Sequence, residues 1–146
     1  MTQGVSIGRE AAISVVINGV LSLAFFLGFF GFDPRPLGWD TPDNLALDFV
    51  PQSIAVALMS ALVPSLIARR KLASAPALRG VLLRAALFAL AGGALGALLA
   101  VSIGGLGFAP IAWGAALIIK IAYGGGLGAL VASLALRRLL ASARPV

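Results

Sequence analysis

The sequence predicts an all-α integral membrane protein with four transmembrane helices. Composition is the first reason. Hydrophobic residues make up 60% of the chain and charged residues 11%, against roughly 45–50% and about 25% in soluble domains. The second reason is the length of the stretches between charges. Residues 11–32 form an uncharged run between Glu10 and Asp33, and residues 49–68 form another between Asp48 and Arg69. Each is long enough to cross a hydrocarbon core of about 30 Å as a helix rising ~1.5 Å per residue.

The third and fourth spans share one longer run. Residues 85–119 carry no charge, which is too much chain for a single crossing. The stretch Gly104, Gly105, Leu106, Gly107, Phe108, Ala109, Pro110 reads as a turn inside it. The third span is therefore expected at 85–104 and the fourth at 111–136, ended by Arg137 and Arg138. Together they make a single transmembrane domain over residues 1–146. The first run exceeds the ~7–15 apolar residues of a signal peptide core, so it is expected to be retained as a span.

Basic residues set the expected orientation. Arg69, Arg70, Lys71, Arg79 and Arg84 lie between the second and third spans, and Arg137, Arg138 and Arg144 follow the fourth. The segment between the first two spans instead holds Asp33, Asp40, Asp43 and Asp48 against Arg35 alone. The positive-inside rule then places both termini in the cytoplasm of a multi-pass cell-membrane protein, with a bacterial inner membrane as the expected location. In the outer segment, Thr41 and Pro42 read as the N-cap and first position of a short interfacial helix running to Asp48. The four aspartates lack calcium-loop spacing and read as solvated loop charges.

A repeat is visible within the chain. Residues 61–75 and 129–143 are identical at 11 of 15 positions, at an offset of 68 that also sets Gln52 opposite Lys120. Either two tandem two-helix units stand in parallel orientation, or similar apolar helix ends have converged by composition.

Small residues mark the faces that pack, because helices in lipid associate through close backbone approach and hydrogen bonds. Gly92 and Gly96 form one stripe, and Gly124 and Gly128 another. A tight hairpin of the third and fourth spans is the expectation, although such stripes also serve dimers. On the first span Ser14, Asn18 and Ser22 share a face, and Ser60 sits at a similar depth on the second. These groups read as interhelical hydrogen bonds, or alternatively as the lining of a polar path. Lys120 is the one charge inside a span and a functional candidate by default. It either reaches outward to water or turns inward to Asp48 or the Gln52 amide, with the Tyr123 hydroxyl one turn away.

Missing residues narrow the function. The chain has no cysteine and no histidine, which removes thiolate chemistry, the usual neutral-pH base and the commonest transition-metal ligand. No metal and no cofactor are expected, and no catalytic residues. The net charge of +6 belongs to membrane-flanking residues, so nucleic acid is not an expected partner. The expected class is a non-enzymatic accessory or assembly component of a membrane system. Its partners would be the lipid bilayer and either a second copy or a larger membrane complex. The alternative is a small homodimeric transporter or channel for an anionic or polar solute, and a weaker third reading is a lipid-interacting protein using its basic cytoplasmic face.

The topology is open to a direct check. Reporter fusions at Lys71 and after Val146 should signal from the cytoplasm, and one at Asp40 from the opposite side. An external signal at Val146 would remove the four-span arrangement.

Overall fold

In the computed structural model, which describes residues 5–143, the chain forms four helices. They are α1 (Ile7–Phe30), α2 (Phe49–Lys71), α3 (Leu78–Gly104) and α4 (Trp113–Ser142). All four are long and apolar enough to cross a membrane. Arg144, counted above with the C-terminal basic residues, lies outside the described residues.

Local chemistry explains several of the ends. Ser6 caps α1 by accepting from the Arg9 N–H, with Glu10 in the first turn, where a negative charge meets the positive end of the helix dipole. Gly31 ends α1 at φ 72, a backbone angle that favours glycine. Arg69, Arg70 and Lys71 complete the last turn of α2, where cations are favoured. The α3 and α4 helices extend past their expected spans, so Arg79, Arg84, Arg137 and Arg138 are helical. A charge ends an apolar run but not a helix, because arginine is a good helix former.

The packing order departs from the order in the chain. Helix α3 lies along α2 and α1 lies along α4, while α2 and α4 cross at the centre. Both outer pairings are antiparallel: Gly92 faces Ser53 where Gly96 faces Phe49, and Gly124 faces Ser22 where Gly128 faces Asn18. The central pair is parallel, with Val56, Ala57 and Ala61 of α2 packed among Leu127, Val131 and Ala135 of α4. Exchanging the two halves of the chain maps this arrangement onto itself. Helices α1 and α2 scarcely meet, and neither do α3 and α4.

The expected hairpin of the third and fourth spans is thus corrected. Both glycine stripes serve as packing faces, but each meets a different partner. A Cβ on Gly96 would stand 2.5 Å from the Phe49 carbonyl oxygen and 2.8 Å from Val50 Cα, and one on Gly92 would stand 2.7 Å from Ala57 Cβ. On α4, a Cβ at Gly124 or Gly128 would collide with Ser22 or Asn18 of α1. A small residue encodes the need for close approach, not the identity of the helix that approaches.

The segments that join α1 to α2 and α3 to α4 differ from expectation as well. No helix forms between Pro42 and Asp48, where the chain makes turns. Asn44 has a positive φ of 54, which interrupts any helix. The N–H groups of Leu45 and Ala46 bond back to the carbonyls of Gly38 and Trp39. The Asp43 carboxylate accepts from Arg35 at 2.6 Å and from the Gly38 N–H at 2.9 Å, and these contacts hold its pKa below the usual aspartate value. These two connecting segments are also stitched together. Leu37 and Ile111 exchange backbone hydrogen bonds of 2.8 and 3.0 Å, and the indoles of Trp39 and Trp113 donate to Ala109 and Gly31. That pairing delays the start of α4 to Trp113.

The glycine contacts can be tested against glycines that touch nothing. Gly96→Leu and Gly124→Leu should each destabilise the protein in detergent by about 1–3 kcal/mol through overpacking. Gly28→Leu should be silent, because its Cβ would meet no atom within 4 Å. Cysteines replacing Gly19 and Ile121 should cross-link α1 to α4. Equal melting temperatures for all three leucine variants would show that the stripes face lipid.

Candidate functional site

The polar side chains of the membrane region converge where α1, α2 and α4 meet. Ser14, Asn18, Ser22, Asp48, Gln52, Ser53, Ser60 and Lys120 are each at most 9% exposed. In hydrocarbon a polar group without a partner is costly, which drives such residues inward and toward each other.

One end of this column joins α1 to α2. The Asn18 amide donates to the Ser60 hydroxyl at 2.8 Å, and also to the Ser14 hydroxyl and carbonyl oxygen at 2.9 and 2.8 Å. Ser14 reaches Ser60 at 3.4 Å. Interhelical bonds of this kind contribute about 0.6–2 kcal/mol. The absent side chain of Gly128 makes room for Asn18.

At the middle, three helices meet on one amide. Gln52 of α2 donates to the Ser22 hydroxyl of α1 at 3.0 Å and to the Lys120 carbonyl oxygen of α4 at 2.9 Å. Gly124 lies against both Ser22 and Gln52, so the three-way junction exists only because this position lacks a Cβ. Gln52 and Lys120 are the two residues that the repeat sets opposite one another.

Lys120 turns inward. It is 1% exposed, and its ammonium group stands 3.0 Å from Asp48 Oδ2 and 3.5 Å from the centre of the Phe49 ring. No well-aligned hydrogen bond accompanies the ion pair, so charge attraction and the aromatic face compensate the cation. Of the two inward partners expected, Asp48 meets the ammonium, whereas Gln52 bonds the lysine backbone. Tyr123 does not reach Lys120 with its hydroxyl, which pairs with Ser53. Its ring packs edge-on against Phe49 at 4.9 Å.

Phe49 and Ser53 are site residues that the sequence reading did not single out. Phe49 follows Asp48 directly, which is the clue to its place over the cation. Ser53, Ala57 and Ala61 recur every four residues on α2, a small-residue stripe as regular as those of α3 and α4.

Two cavities lie along the seam between α1 and α2. The larger one, of about 420 Å³, is bordered by Phe29, Leu47, Pro51, Asp43 and Asp48. The smaller one, of about 70 Å³, is bordered by Glu10, Ser14, Asn18, Ser60 and Pro64. The Ser22–Gln52 hydrogen bond crosses the seam between them. Asn18 Oδ1 and Gln52 Oε1 are buried and accept no hydrogen bond. Among the described residues no group of three or more acidic side chains lies close enough to hold a metal ion.

A double-mutant cycle measures the pair. Lys120→Leu leaves the Asp48 carboxylate uncompensated and should cost about 3 kcal/mol, as for other broken buried pairs. Adding Asp48→Asn should recover most of that loss. Identical stability of Lys120→Leu and wild type would show that the ion pair holds nothing together.

No family model, no curated protein and no solved structure matches the chain, so its functional reading rests on this geometry.

Proposed function

We propose that the chain is a non-enzymatic accessory or assembly component of a membrane system, with both termini cytoplasmic. The observation that carries this reading is the pairing of Lys120 with Asp48 and the bonding of the Asn18 and Gln52 amides between helices. Lys120 is paired with Asp48 and covered by Phe49, which leaves no free cation in the polar column to attract an anion. The two cavities end on either side of the Ser22–Gln52 bridge instead of joining. Such an arrangement serves helix registration, a use for which buried polar groups are well suited. The large apolar residues of α3, among them Leu83, Leu90 and Val101, stay exposed and face lipid or another membrane protein.

Two measurements test the proposal together. Extracted from native membranes in polymer-bounded lipid particles, the chain should migrate in an assembly larger than its own homodimer. Reconstituted alone in liposomes, it should conduct no chloride or phosphate above empty vesicles. Anion flux that disappears in Lys120→Gln with the fold intact would overturn the reading in favour of a transporter.

A further inference from the structure

The seam between α3 and α4 is loosely packed, like that between α1 and α2, but its chemistry has the opposite sign. At the end of the bundle where α3 begins and α4 ends, a cavity of about 210 Å³ opens between them. It is lined by Arg84 and Arg138 together with Leu87, Phe88 and Ala91. The Arg84 guanidinium donates to the Arg138 carbonyl oxygen at 3.4 Å, which holds the two arginines side by side on different helices. Among the described residues the ion pairs are Arg35–Asp43 and Lys120–Asp48, so neither arginine has a carboxylate to balance it.

Position along the helices adds a second constraint. Arg84 immediately precedes the uncharged run of α3, and Arg138 closely follows that of α4. Both therefore stand at the level of the lipid phosphates, with Leu87, Phe88 and Ala91 one to two turns deeper along the acyl chains. A guanidinium pairs well with phosphate oxygens, and basic pockets between membrane helices suit anionic headgroups. A ligand that fits must carry a phosphate joined to a hydrocarbon chain.

We propose that the α3–α4 seam binds an anionic phospholipid, its phosphate between Arg84 and Arg138 and one acyl chain against Leu87, Phe88 and Ala91. The site is separate from the polar column at Lys120 and does not depend on the accessory reading. It gives the bundle a fixed lipid contact at a place where its own helices leave a gap.

The test uses the whole purified chain in neutral detergent, titrated with phosphatidylglycerol and followed by native mass spectrometry. Phosphatidylglycerol should bind, while phosphatidylcholine and glycerol 3-phosphate should bind far more weakly. Arg84→Gln and Arg138→Gln should each weaken binding about fivefold, the usual effect of one basic residue at a membrane surface. Arg137→Gln, which removes an exposed neighbouring charge outside the cavity, should leave binding unchanged. Ala91→Phe should weaken it with both arginines in place, by filling the groove. Unaltered melting temperatures in lipid-free detergent confirm that the variants fold, and Arg138→Lys provides a milder variant that should retain part of the affinity. Equal losses in Arg137→Gln would reduce the effect to diffuse charge and overturn the proposal. So would glycerol 3-phosphate binding as tightly as the lipid, or phosphatidylcholine matching phosphatidylglycerol.

Discussion

Gly124 and Gly128 set the distance at which α1 lies on α4, and the interior of the protein follows from that distance. Between lipid-embedded helices no hydrophobic effect favours contact, so close backbone approach and hydrogen bonding must supply the attraction. The two glycines open two adjacent sockets, and α1 fills them with Ser22 and Asn18. Once seated, Ser22 meets Gln52 and Asn18 meets Ser60, which carries the same registration across to α2. A side chain at either position would separate the helices and leave these polar groups facing hydrocarbon. The glycines and the polar residues are therefore one device, in which each makes the other tolerable.

The ion pair at the start of α2 obeys a different balance. Removing an ammonium and a carboxylate from water costs several kcal/mol per ion in protein interiors, and mutual attraction offsets this only in good geometry. Here Asp48 stands just before the first turn of α2, near the membrane edge, where desolvation is less severe than at the bilayer centre. The Phe49 ring covers the other side of the cation. The pair is better suited to fixing which face of α4 meets α2 than to adding much net stability. Breaking it from one side alone is costly for the same reason.

Much of this architecture was legible in the residues, because membrane spans are written in length and charge. The four long apolar runs, the breaks at Asp33 and Pro110, and the shared face of Ser14, Asn18 and Ser22 follow from single-helix properties, whereas Lys120 was compatible with an outward reach to water or an inward turn to Asp48. Pairing does not follow from such properties. The stripes at Gly92 and Gly124 announce that something approaches closely, yet neither stripe specifies which helix will cover it. What decides is three-dimensional: Asn18 and Ser22 fit the sockets of α4, while Gly96 admits the backbone of α2 at Phe49 and Val50. The connecting segments departed from expectation for a related reason. Thr41 and Pro42 are sound helix-start signals locally, but Leu37 and Trp39 find partners at Ile111 and Ala109, far away in the chain.

The crossed packing order has a consequence for biosynthesis. Of the four helices α1 is made before the others, and the surface that accepts its polar face belongs to α4, made after them. Helix α2 offers α1 only a narrow contact, so the first two helices do not form a closed hairpin while the ribosome completes the rest. During that interval Asn18 can bond Ser14 and Ser60, but neither it nor Ser22 has its socket on α4. Assembly of this bundle is thus a late event that couples its first and last segments, and any truncation before α4 strands the helix that entered the membrane first.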